Sequence, residues 1–250
     1  MALAFRLIAR LDVRNEHLIK TIRCEGVRKV GDPAEYARKY DQEGIDEILY
    51  IDTVASLYGR NGIIPLTTRT ADSCFVPLCV AGRISSTAEV ATYLRRGADK
   101  IAINTGALDN PSILGDLAQK FGSQAVTLQL DAKAKNGGWE AYTHGGRHST
   151  GRCALAWAAE AVDRGCGEIL VTSIDREGTR AGFAYDLVYS LASSVRVPVV
   201  AAGGFGAPPD AVKAYQAGAS GIAIAGALHY NRVTLEEIRA HLRQAGIPTR

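Results

Sequence analysis

The sequence predicts an α/β protein, a (β/α)8 TIM barrel built from two duplicated half-barrels. Three observations predict it. The first is length: 250 residues suit one large domain, expected to fill 1–250 with half-barrels of about 1–122 and 123–250. The second is an internal repeat. At one offset of 121 residues, GIDEIL (44–49) falls on GCGEIL (165–170), VPLCVAG (76–82) on VPVVAAG (197–203), and GADKIAI (97–103) on GASGIAI (218–224). The third is alternation. Short apolar runs are preceded by stretches such as PAEYARKYDQEGI, STAEVATYLRRGA and PDAVKAYQAGA, whose apolar residues recur at helical spacing. An open doubly wound sheet is the rival arrangement. Twofold duplication of a four-unit half closes naturally, whereas an open sheet has no comparable need for pseudo-symmetry.

In chain order, the first half supplies strands at RLIARLD (6–12), EILYID (47–52), VPLCVAG (76–82) and KIAIN (100–104). The second answers with VTLQLD (126–131), EILVTS (168–173), VPVVAAG (197–203) and GIAIAG (221–226). These runs are apolar rather than strictly alternating, as parallel strands buried on both faces require. After the first strand, residues 14–31 carry Lys20, Arg23, Arg28 and Lys29 and read as a mobile cationic segment suited to closing over an anion. After the fifth, Asn136-Gly137-Gly138 sits between polar and aromatic alternations and reads as an inserted hairpin. His144 and His148 fall there as surface residues, since no partner has metal-ligand spacing.

Composition narrows the function. A net charge of +3, from 29 Lys and Arg against 26 Asp and Glu, is too balanced for a generic nucleic-acid binder but leaves an anionic small substrate open. The five cysteines (Cys24, Cys74, Cys79, Cys153, Cys166) form no C-x-x-C pair, so reduced thiols in a cytoplasmic protein are expected. Arg6, Arg10 and Asp12 interrupt the apolar amino terminus, so neither a signal segment nor a membrane span is expected there.

In such barrels the chemistry sits at the carboxyl ends of the strands. Here those ends are Asp12, Asp52, Gly82, Asn104-Thr105, Asp131, Thr172-Ser173, Gly203-Gly204 and Gly226. Asp12 and Asp131 close the first strand of each half, so the pseudo-twofold axis places two carboxylates across one mouth. Such a pair divides acid and base roles when its environments separate the pKa values; a helix cap is the plainer use of either Asp alone. Glycines after strands three and seven, with small residues after strands four and eight, let backbone N–H groups approach a phosphate. The pattern occurs once per half, which points to an elongated bisphosphate stretched across the mouth. Arg83 stands where the second copy has Gly204. At the opposite ends of the strands, Arg6, Glu47, Lys100 and Glu168 begin four runs. They meet solvent there, or, pointing inward, form a ring of alternating sign across the barrel floor.

LDV (11–13) with Lys20, GDP (31–33), GADKIAINT (97–105), FGSQAV (121–126), DAK (131–133), YTHGGR (142–147) and GEILVTSIDREGT (167–179) together carry a resemblance over essentially the whole chain. The sequence resembles the cyclase subunits of imidazole glycerol phosphate synthase, half-barrel-duplicated enzymes of histidine biosynthesis. FGSQAV and TSIDREGT favour the cyclase over its sister isomerase. The resemblance implies that Asp12 and Asp131 are the catalytic pair, that Lys20 lies on a loop closing over substrate, and that the duplicated sites bind its two phosphates. It implies substrate contacts at Asp52, Gly82, Arg83, Asn104, Thr105, Thr172, Glu177, Gly178, Gly203, Gly204, Ala225 and Gly226. It further implies that Arg6, Glu47, Lys100 and Glu168 gate ammonia made by a glutaminase subunit docked on the barrel base as a heterodimer. Asp99 matches a residue of that interface, and no metal or redox cofactor is required.

The chain departs from the family pattern at Arg10, where Cys is usual, and at Thr21, Arg83, Glu177, Ala184 and Ala202. Val30 before GDP and the Lys20-Thr21 pair resemble a paralogous branch that conducts glutaminase-derived ammonia to a sugar amidotransferase in surface-polysaccharide biosynthesis. That branch often lacks the first Asp, which this chain keeps.

Overall fold

The computed structural model describes residues 4–53, 63–82 and 84–250; Arg83, a predicted phosphate-site residue, lies outside them. The barrel strands are β1 (Arg6–Arg14), β4 (Glu47–Asp52), β5 (Leu78–Ala81), β6 (Lys100–Ile103), β7 (Val126–Lys135), β10 (Glu168–Ser173), β11 (Val199–Ala202) and β12 (Gly221–Ile224). Each pairs in parallel with the next, and β12 pairs in parallel with β1, so the sheet closes. Helices α1 (Pro33–Gln42), α2 (Ile64–Ala71), α3 (Thr87–Arg95), α4 (Thr105–Asp109), α5 (Ser112–Phe121), α6 (Ala154–Asp163), α7 (Tyr185–Ser194), α8 (Pro209–Gln216), α9 (Gly226–His229) and α10 (Leu235–Gln244) lie between and after the strands. This is the (β/α)8 barrel the sequence predicts. No described helix is long and apolar enough to cross a membrane.

The period of two along β1 sorts its side chains. Leu7, Ala9, Leu11 and Val13 join the large core under the helices, together with the fully buried Trp157 of α6. Burying each of the larger side chains contributes about 2 kcal/mol. Ile8 faces the barrel axis, in a second cluster with Leu49, Ile51, Cys79, Ala81, Ala102, Leu170, Val200, Ala202 and Ala223. Arg6, Arg10 and Asp12 share the inward face with Ile8, so one strand carries charge at both ends of an apolar interior. Helix starts follow local chemistry: Asp32 accepts from the Ala34 and Glu35 N–H groups ahead of Pro33, and Thr234 with Glu237 forms a capping box. The matched glycines Gly97 and Gly218 both hold positive φ, 99° and 92°, and a Cβ on either would strike a neighbouring alanine Cβ. The repeat keeps glycine there because the turn ending each helix packs too closely against the preceding helix for a side chain.

Two ribbons depart from the simple barrel. β7 runs into β8 (Gly138–Thr143) and β9 (His148–Cys153), the expected hairpin, turning at Asn136 and Gly137 with φ of 51° and 76°. The segment 14–31, read from its charges as a mobile loop, is instead a second antiparallel ribbon, β2 (His17–Ile22) and β3 (Glu25–Gly31). Leu18 and Ile19 are buried in it, whereas β3 presents its cations to solvent and masked the strand pattern. In register, Asp12 pairs with Ile19 and Asp131 with Tyr142, so both carboxylates stand where a barrel strand leaves the barrel to begin a ribbon.

Candidate active site at the barrel mouth

Asp12 and Asp131 are buried inside the carboxyl end of the barrel, and their surroundings differ. Asp12 Oδ1 accepts from Arg10 Nε at 2.8 Å, and Lys20 Nζ lies 3.9 Å from Oδ2. Burial alone would raise its carboxyl pKa, but the Arg10 and Lys20 charges and the Arg10 hydrogen bond outweigh it and hold the group below the ordinary carboxylate range. Asp131 accepts from Asn104 Nδ2 at 2.9 Å and from Gln129 Nε2 at 3.4 Å. There burial wins over the Arg10 charge and these two hydrogen bonds, and the carboxyl is pushed up to about 6. At neutral pH one carboxylate is locked ionised and the other lies within reach of a proton. That separation is what acid and base division requires.

Arg10 organises the centre. Its Nη1 donates to Thr172 Oγ1 at 3.2 Å and to Glu177 Oε2 at 3.4 Å, and Lys20 pairs with Glu177 in turn. Two cavities open on either side of this guanidinium. The first is bordered by Asp12, Asp52, Gly82, Asn104, Thr105 and Asp131. The second is bordered by Lys20, Glu177, Gly178, Gly203, Gly204 and Ala225-Gly226. All the described residues expected at the substrate site are thus brought together, with Thr172 reaching it through Arg10. Gly203 and Gly204 hold φ of 83° and 110°, so the turn after β11 exposes backbone where a Cβ has no room.

Sequence reasoning missed much of the positive charge. Arg14 and Arg147 border the first cavity, and Arg180 and Arg232 join the second beside Arg28, which the cationic 14–31 segment offers. They come from ribbons and loops, whose approach to the mouth has no periodic signal; YTHGGR was the one available clue for Arg147. His144, expected on the surface, also borders the first cavity, and its N–H donates to Thr105 Oγ1 at 3.0 Å. Its ring centroid is 4.5 Å from that of His148, and among the described residues no cluster of three or more His, Cys, Asp or Glu side chains is placed to hold a metal ion. His229 lies behind Asp12 with Nδ1 2.7 Å from the Tyr40 hydroxyl, and burial lowers its pKa to about 4.

At the other end of the barrel the four charged strand starts do point inward. Arg6 pairs with Glu47 at 3.0 Å and with Glu168, and Lys100 reaches both carboxylates at 2.8 Å. The ring closes the floor with alternating sign. Asp99 is exposed at the same end, accepting from the Leu78 N–H at 2.8 Å.

Comparison with known proteins gives one answer. Residues 6–234 match the family model described as "Histidine biosynthesis protein". The protein named imidazole glycerol phosphate synthase subunit HisF from Gluconacetobacter diazotrophicus is 42% identical over 249 residues, covering 99% of this chain and 96% of that one. The protein of the same name from Mycobacteroides abscessus is 40% identical over 257 aligned positions, covering both chains in full. A third, from Legionella pneumophila, is 50% identical over 202 residues, 80% of this chain and 95% of that one. With the family pattern matched along almost its entire length, the chain belongs to the histidine biosynthesis protein family.

Proposed function

We propose that this chain is the cyclase subunit of imidazole glycerol phosphate synthase, acting in histidine biosynthesis as a lyase with a glutaminase partner. One observation carries the reading: two buried carboxylates, shifted in opposite directions, face the first of two glycine-bearing, arginine-rimmed cavities that share one mouth. The substrate is an aminoimidazole carboxamide ribonucleotide joined through a formimino group to ribulose phosphate, with one phosphate in each cavity. Ammonia adds to the ketose carbonyl; cleavage and ring closure then give imidazole glycerol phosphate and release aminoimidazole carboxamide ribonucleotide. Asp131 acts as the acid that protonates departing oxygen or nitrogen, since it keeps a proton to higher pH. Asp12, held ionised, accepts protons from the attacking amine and imine. Ammonia enters through the floor ring from a glutaminase docked beside Asp99, and the dry barrel keeps it from being protonated in bulk water.

The test is steady-state release of aminoimidazole carboxamide ribonucleotide by the purified chain, given the formimino-ribulosyl substrate and excess ammonium salt at alkaline pH. Turnover abolished by Asp12→Asn supports the cyclase. A second reading has one observation behind it: Arg10 pairs with Asp12 and occupies the space between the two cavities. That arrangement suits a barrel that only conducts ammonia to a sugar-amidating partner, and absent turnover from a folded sample selects it.

A further inference from the structure

The barrel interior is bounded by charge at both ends. Below lies the ring of Arg6, Glu47, Lys100 and Glu168. Above lies a second ring of the same alternating sign: Arg10 bonds Asp12 and Glu177, and Lys20 bonds Glu177 and lies 3.9 Å from Asp12. Between them Ile8, Leu49, Cys79, Ala102 and Leu170 form an apolar layer, and Ala223 of the same cluster borders the second mouth cavity. Gln129, in register with Leu170, turns its amide toward Asp131, and the apolar side chains of the layer cannot solvate an ion, so what passes between them is small and neutral. Arg10 stands two residues beyond Ile8 on the same inward face of β1, and it borders both mouth cavities. Its side chain is 8% exposed and its partners Asp12 and Glu177 are 2% and 4% exposed, so the upper ring is buried at the base of the two cavities.

We propose that Arg10 is the inner stopper of the barrel: paired with Asp12, Glu177 and Thr172, it shuts the apolar interior off from the substrate cavities. A small neutral molecule admitted through the floor is retained until Arg10 leaves Asp12. The inference rests on the ammonia-conducting part of the proposed function, which both readings share. It adds a closure at the end of the barrel opposite the floor ring, built from a residue that is not a floor charge.

Cys79 reports on the compartment, because its thiol lies in the apolar layer. Cys166 is equally buried but sits outside the barrel axis, in the core under the helices, and Cys153 is exposed. The experiment treats the full-length chain with methyl methanethiosulfonate, a small neutral thiol reagent, and follows each cysteine by peptide mass spectrometry. In the wild type, Cys79 is modified on the order of a hundredfold more slowly than Cys153. Arg10→Ala raises the Cys79 rate about tenfold or more and leaves Cys166 unchanged. Arg10→Met, which keeps an apolar stem and removes the guanidinium, gives the same increase should the alanine variant fold poorly. Equal Cys79 rates in wild type and variants overturn the stopper, and so does acceleration of Cys79 and Cys166 together, which reports general loosening. No substrate or partner is needed, so the outcome is separate from success or failure of the cyclase assay.

Discussion

Lys20, on the ribbon that follows β1, forms a buried ion pair with Glu177, on the loop that follows β10. The Arg23 N–H donates to the Glu177 carbonyl at 2.8 Å, so the ribbon is fastened across the mouth by side chain and backbone of one residue. Glu177→Gln removes the charge and keeps the shape. The variant is expected to expose the ribbon to trypsin at Arg23, Arg28 and Lys29, with initial cleavage about tenfold faster at unchanged far-UV circular dichroism. Unchanged cleavage would show that strand pairing with β1 holds the ribbon without the ion pair.

The raised pKa of Asp131 makes a prediction about stability. Its folded value of about 6 lies above the ordinary 3.8, so the folded chain holds this proton more tightly than the unfolded chain. That linkage stabilises the protein fully below pH 3.8 and is lost as pH rises through 6, leaving a strained carboxylate at neutral pH. Asp131→Asn is therefore expected to be more stable than wild type by about 1–3 kcal/mol at pH 7. The gain should shrink below pH 6 and vanish near pH 4, read by urea unfolding across pH. The same substitution is expected to abolish cyclase turnover; an active variant would remove Asp131 from the chemistry.

The repeat made the barrel legible, because glycines such as Gly97 and Gly218 survive in register where packing forbids a Cβ. Strand periodicity then made Asp12, Asp131 and the floor charges legible, since each ends or begins a run. Arg10 is visible in the sequence as a charge within the first apolar run and as a departure from the family pattern, neither of which gives it a role. Its pairing with Glu177, 167 residues away, depends on barrel closure and has no local signature. Arg28, Arg180 and Arg232 meet at the second cavity from a ribbon and two separate loops, so no spacing rule gathers them. The 17–22 strand was hidden for a different reason: it is buried against β1, while the neighbouring cations gave the whole segment the composition of a loop.

Lys100 bridges both carboxylates of the floor ring, so Lys100→Met leaves Glu47 and Glu168 sharing Arg6 alone. Breaking a largely buried ion pair from one side is expected to cost about 3 kcal/mol of stability. In complex with the proposed glutaminase partner, the variant is expected to yield less product per glutamine hydrolysed, while turnover with added ammonium salt is kept. Equal losses in both assays would count against a gate.

The second cavity allows the phosphate assignment to be tested without disturbing the fold. A Cβ at Gly204 would lie 2.2 Å from the Gly182 carbonyl oxygen, and φ there is 110°, so Gly204→Ala strains backbone against backbone. A stability loss of about 2 kcal/mol or more is expected from that variant, and any kinetic change in it is confounded. Gly226 is different: its φ is not positive, and a Cβ would meet only the Lys20 side chain, at 3.5 Å. Gly226→Ala should fold with an unchanged Tm, yet its methyl group intrudes beside Lys20, where an anion would approach the cavity. KM is then expected to rise about tenfold with kcat little altered, because the lost interaction is made equally in ground and transition states. A KM unchanged in a fully folded Gly226→Ala protein would mean that no phosphate approaches this glycine, and the bisphosphate would have to span the mouth by another path over Arg10.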